Sequence, residues 1–150
     1  MEKRAEDGFD LARFVRAQEG AYEEALGELC AGRKRSHWIW FIFPQRKGLG
    51  QSATSEFYGI GSMEEAQAYL NHPVLGPRLR ECTRAVTAVE GRTAGEIFGW
   101  PDDVKFRSSM TLFARAAEAE GDAEAAAEFR AALDKYFGGA EDPRTVDMKQ

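Results

Sequence analysis

One unbroken apolar run, Trp38-Ile39-Trp40-Phe41-Ile42-Phe43, constrains the fold most, because the chain holds no second run of that kind to pair with it. Six consecutive apolar residues fit a buried strand or a buried helix by periodicity, and the aromatic and branched content leans toward the strand. A lone strand, however, has nowhere to place its backbone hydrogen bonds. With Ser36 as a cap and Pro44 as a terminator, the run reads as a helix of about two turns. Arg33, Lys34, Arg35, Ser36 and His37 stand directly before it, so polar chemistry abuts the core, where a low dielectric strengthens charges and hydrogen bonds.

The rest of the chain repeats the helical period. Asp10 occupies an N-cap position ahead of Leu11, Phe14 and Val15, and Tyr22, Leu26, Leu29 and Cys30 form the buried stripe of a second helix that ends at Gly32. From Gln45 to Gly61, glycine, serine, threonine and lysine without a sustained period predict one long ordered loop. Ser62 with Glu65 makes a capping box for a short helix ending before His72-Pro73. Pro77 opens a longer helix carrying Leu79, Cys82, Val86 and Val89, and Thr93 caps a short turn through Ile97 and Phe98. Pro101-Asp102-Asp103 opens a helix with Phe106, Met110, Phe113 and Ala117 on one face. A last helix runs through Phe129, Leu133, Tyr136 and Phe137 to Gly138-Gly139. The expectation is an all-α, compact single-domain bundle of about six to eight helices with one long Gly/Ser-rich loop. Residues 1–9 are read as an N-terminal tail, 10–138 as the helical domain, and 139–150 as a polar C-terminal tail that frays.

Composition narrows the class. A chain of 150 residues, 43% hydrophobic and 30% charged, suits one soluble globular domain and not a disordered segment. Its longest apolar run falls far below the ~20 residues that cross a bilayer, and Met1-Glu2-Lys3-Arg4-Ala5-Glu6-Asp7 lacks the apolar centre of a signal peptide. The expected location is therefore cytoplasmic, with no membrane partner, and Cys30 and Cys82 are expected as reduced core thiols. A net charge of -5 argues against extensive nucleic-acid binding. The single run of three cations, Arg33 to Arg35, leaves room for a small anionic ligand.

Read together, Gly32 to Gln45, Gly48-Leu49-Gly50, Tyr58-Gly59-Ile60, Ala68-Tyr69-Leu70-Asn71-His72-Pro73-Val74-Leu75-Gly76-Pro77-Arg78-Leu79 and Pro101 to Phe113 strongly resemble domain-of-unknown-function family 1810, a bacterial and fungal family. The resemblance runs from about Asp10 to Phe137 and implies a mainly α-helical single domain without implying an activity. Some members carry the label calpastatin, a name for long disordered protease inhibitors that this globular composition does not support. Arg46 and Trp100 depart from the family pattern, and both bear on the rim of a pocket.

The signature segments carry the candidate chemistry. Arg33, Lys34 and Arg35 follow a helix end, where cations are favoured anyway, but Ser36 begins the next helix, whose free N–H groups suit a phosphate or carboxylate. His37 in that first turn would stay neutral and able to accept a proton, with Trp40 one turn away as an aromatic wall. Lys105, Ser108 and Ser109 share one side of their helix, while Arg107 points toward Thr111 or solvent. The resulting expectation is a small, anionic, nucleotide-like ligand site at the Arg33–His37 helix junction. Its candidate residues are Arg33, Arg35, Ser36, His37, Trp40, Gln45, Tyr58, Lys105, Arg107 and Ser108. No catalytic residue, metal site or cofactor is assigned, since the histidines lie far apart and the glycines fit no dinucleotide fingerprint. The alternative is a non-catalytic protein-interaction module whose polar signature residues are structural.

Overall fold

The computed structural model describes residues 8–147. The element order is α1 (Ala12–Gln18), α2 (Tyr22–Cys30), α3 (Ile39–Ile42), α4 (Ala53–Phe57), α5 (Met63–Asn71), α6 (Leu75–Thr87), α7 (Ala94–Phe98), α8 (Asp102–Ala119), α9 (Ala123–Phe137) and α10 (Pro143–Val146). Among the described residues there is no strand, only an isolated bridge between Arg46 and Ile60. The chain is thus an all-α domain. Among the described residues ten helices stand where six to eight were expected, because α4 and α10 form inside segments read as loop and tail.

The long helix α8 is the hub, packed by α9, α5, α7, α10 and α3. Its middle, Ser108 to Ala114, is buried all round, which is why its polar residues matter: each must find a partner inside the protein. Phe106 stacks on Phe98 at 4.6 Å and meets Phe43 edge-on at 4.9 Å, joining α7, α8 and the end of α3 in one aromatic cluster. Leu75, Leu79, Cys82 and Val86 turn one face of α6 into the core at helical spacing. Gly76 lets that helix approach α5, since a Cβ there would come within 2.0 Å of the Leu70 carbonyl oxygen.

Several expectations change. The aromatic run is helical, but α3 spans only Ile39–Ile42, with Trp38 and not Ser36 at its N-cap. Phe43, held at φ −126° and ψ 75° before Pro44, leaves the helix early because the proline ring rejects the α region for its predecessor. Asp10 does not cap α1; it sits at φ +53°, and Leu11 takes the N-cap position. Cys30 is exposed, while Cys82 is buried with its thiol pushed up to about 12 by burial, so the core holds one of the two free thiols. The segment Gln45–Gly61 contains α4 and closes on itself, with Ile60 N–H donating to the Gln45 carbonyl at 3.0 Å and Lys47 N–H to the Ile60 carbonyl at 2.8 Å.

The C-terminal segment is also reassigned. Arg107 donates to the Ala140 and Glu141 carbonyls at 3.0 and 2.7 Å, and Thr111 Oγ1 accepts from Asp142 N–H at 3.0 Å. Asp142 is buried and accepts from Ser108 and Thr145 hydroxyls, both at 2.6 Å. Burial pulls its carboxyl upward, but those hydroxyls outweigh it and hold the group below the ordinary range. Residues 139–147 therefore belong to the domain, because the polar side of α8 needs them. Residues 1–7 and 148–150, assigned to the tails, lie outside the described residues.

Candidate functional site

The Arg33–His37 junction is filled from within. Glu28, on the last turns of α2, projects its carboxylate into the turn that follows. Oε1 accepts from Arg35 N–H at 2.8 Å, Ser36 N–H at 3.0 Å and Trp38 Nε1–H at 2.8 Å. Oε2 accepts from the Ser36 hydroxyl at 2.6 Å. Converging backbone donors of this kind bind anions, and here the anion is the protein's own. Burial raises the Glu28 pKa, but the donors from Ser36, Arg35 and Trp38 prevail and hold it at about 2.

Lys34 completes the closure. Its Nζ lies 2.8 Å from Asp102 and donates to the Ser36 carbonyl at 2.6 Å, 5.1 Å from the Trp38 ring centroid. Its backbone N–H donates to the Ile97 carbonyl at 2.7 Å. The turn between α2 and α3 is thereby tied to the start of α8. Arg33, Arg35 and His37 are exposed on the outside of this turn, so they do not converge on a pocket. With only four residues in α3 and Ser36 bound to Glu28, the expected helix-start anion site and the first-turn position of His37 are not present.

Three other sequence candidates do converge. A depression of about 290 Å³ is lined by Gln45, Leu49, Gly50, Trp100, Pro101, Val104, Lys105, Ser108 and Arg144. It lies where the Gln45–Gly50 loop folds against the first turns of α8. Trp100 is 83% exposed, the most exposed large apolar side chain among the described residues. Arg144 donates to the Leu49 carbonyl at 2.9 Å, and Arg46 donates to the Arg144 carbonyl, so loop and α10 brace each other. Lys105 is 3.6 Å from Asp102 and 5.1 Å from the Trp40 ring centroid. Among the described residues the lining itself carries no carboxylate, although Asp102 and Asp142 stand behind Lys105 and Ser108.

Two buried side-chain atoms, Trp40 Nε1 and Ser109 Oγ, have no hydrogen-bond partner among the described residues. Both flank Lys105, Trp40 by contact and Ser109 by one helical turn. Each such atom costs about 1–3 kcal/mol. Tyr58 instead packs in an aromatic group with Phe14, Phe41 and Phe57, and Arg107 is occupied with the C-terminal segment. Sequence reasoning missed Glu28 and Arg144 altogether. Trp100 and Arg46 were legible only as departures from the family pattern at a pocket rim.

The geometry defines an all-α single domain with a polar helix junction closed by an internal carboxylate and an open cationic depression nearby. This chain belongs to the family described as "Protein of unknown function (DUF1810)", whose profile matches residues 8–148. It is similar to the crystal structure of the conserved hypothetical protein Rv1873 from Mycobacterium tuberculosis, with 58% sequence identity and a TM-score of 0.88 over 93% of this chain and 96% of that one. No curated protein matches the chain. Among the described residues, no helix is long and apolar enough to cross a membrane.

Proposed function

We propose that the protein binds a small anionic molecule in the depression between the Gln45–Gly50 loop and the start of α8, and not at the Arg33–His37 junction. The observation that carries this reading is the convergence of Gln45, Lys105 and Ser108 with Arg144 and the exposed Trp100 around one opening. An apolar recess with a few converging polar groups is the usual form of a small-ligand site. Two cations on its wall select for negative charge.

The second reading, a protein-interaction module, is favoured by a different observation. Glu28 satisfies the signature junction from inside, which supports a structural role for those residues, and Trp100 with the 45%-exposed Val104 forms the kind of apolar anchor partners use.

Thermal unfolding with inorganic phosphate, pyrophosphate and small carboxylates separates the two. A ligand at a hundred times its Kd stabilises by about 2.7 kcal/mol, a rise in Tm of roughly 5–10 °C for a domain of this size. The rise should vanish in Lys105→Ala and persist in Arg35→Ala. If Arg35→Ala abolishes it and Lys105→Ala does not, the site is at the junction after all. If no anion raises Tm, the interaction reading stands.

A further inference from the structure

We infer that the ligand of this depression is bipartite: a planar aromatic ring joined to a phosphate or carboxylate. The inference rests on the binding reading above and adds the chemical class of the occupant.

The depression has a neighbour. A second hollow of about 360 Å³ is lined by Arg46, Lys47, Gly48, Leu49, Arg144 and Asp147. The two share Leu49 and Arg144 as a common wall, so a single molecule can lie across both. They differ in chemistry. The first is bordered by Trp100, Pro101, Val104 and Leu49, an apolar slot with an indole at its edge. In the second, Arg46, Lys47 and Arg144 face the single carboxylate of Asp147.

An indole 83% exposed gains little from burial in this fold. It is well placed to stack a flat ring, an interaction worth about 1–3 kcal/mol per ring in nucleic-acid readers. An aliphatic anion would leave that face unused, and a neutral ring would leave the cations unused. Arg46 and Arg144 are also held in place before any ligand arrives. Arg46 is bonded to the Arg144 carbonyl and Arg144 to the Leu49 carbonyl, while Gly50 packs so tightly that a Cβ would come within 2.3 Å of Ser55 Oγ. A site ordered beforehand loses less affinity to immobilising its own side chains. Lys47 is only loosely engaged, 3.8 Å from Glu56 with both exposed, an arrangement that solvent screens.

The test compares one molecule with its two halves on the full chain by calorimetry: adenosine 5′-monophosphate, adenosine and ribose 5-phosphate. The monophosphate should bind at least about tenfold more tightly than either half. Trp100→Ala should weaken the monophosphate and adenosine about tenfold and spare ribose 5-phosphate. Arg144→Gln should weaken the monophosphate and ribose 5-phosphate and spare adenosine; because Arg144 also braces the loop, Lys47→Gln, at an exposed position, provides the same reading without that risk. If ribose 5-phosphate binds as tightly as the monophosphate and Trp100→Ala changes nothing, the aromatic half is overturned while the anion site survives. If none of the three binds, or binding ignores all three variants, both the class and the site fall.

Discussion

Replacing Glu28 with alanine is expected to destabilise the protein by about 3 kcal/mol, because hydrogen bonds to a charged group contribute roughly 1.5–3 kcal/mol each and removing the acceptor strands its donors. The buried Trp38 Nε1–H loses its partner outright, while the Arg35 and Ser36 N–H groups must find water. At roughly 2–4 °C per kcal/mol for a domain of this size, Tm should fall by roughly 6–12 °C. Glu28→Gln keeps an oxygen for the three N–H donors and removes only the charge, so about half the loss is expected. Equal losses in both variants would mean that the charge, and not the geometry, holds the junction.

The same carboxylate sets a pH dependence whose sign is fixed. Glu28 has its folded pKa depressed to about 2 from an ordinary 4.5. Its contribution is therefore fully present above about 4.5 and is lost as pH falls from there through about 2. Denaturant unfolding of wild type and Glu28→Gln should show a stability gap at neutral pH that narrows across that window. A gap that stays constant down to pH 2 would contradict the assignment.

The largest loss is expected from Arg13→Met. Arg13 uses all five of its N–H donors: Nε to the Phe57 carbonyl at 2.7 Å, Nη1 to the Phe9 and Asp10 carbonyls at 2.7 and 2.8 Å, and Nη2 to the Gly59 carbonyl and Glu65 Oε2, both at 3.0 Å. Its guanidinium also lies 4.3 Å from the Phe14 ring centroid. The pair with Glu65 is 8% exposed on each side. Methionine keeps the aliphatic packing of the stem but leaves a buried carboxylate unpaired, which costs about 3–5 kcal/mol. Glu65 retains one donor, Gly61 N–H at 2.8 Å. Adding Glu65→Gln to Arg13→Met should recover part of the loss, since the uncompensated charge goes with it. Urea denaturation of the two single variants and the double variant measures the coupling. Strictly additive losses would show that the ion pair is not what holds the first turn of α1 to the first turn of α5.

What the sequence carried was the part of the fold written in local period. Phe106, Met110, Phe113 and Ala117 are buried on α8 as their spacing predicts, and Thr93 caps α7 as expected; the capping box expected at Ser62–Glu65 forms only by half, since Ser62 Oγ accepts from Glu65 N–H while the Glu65 carboxylate turns to Arg13 and Gly61 N–H. The helical reading of Trp38–Phe43 also follows, from the absence of a pairing strand. What escaped was settled by contacts between segments. Glu28 sits at an ordinary polar position of an amphipathic helix, and nothing in its spacing tells whether its carboxylate faces water or curls into the next turn. Arg107, Ser108 and Thr111 are polar residues on a buried helix, a correct sign of partners to be found; those partners are residues 140–142 of the chain itself. Gln45 and Lys105 come together only because the segment from Gln45 to Ile60 closes on itself. Each was a candidate for its chemistry, but their meeting was not readable before the fold existed.

The most direct test follows backbone and side-chain N–H resonances of isotope-labelled protein as adenosine 5′-monophosphate is added. The largest shifts should fall on the Trp100 indole N–H, the Gln45 side-chain amide and the backbone of Leu49, Lys105 and Arg144, with Arg35, Ser36 and the Trp38 indole unmoved because Glu28 already occupies them. Shifts concentrated at Arg35, Ser36 and His37, with Trp100 silent, would contradict the account at its centre.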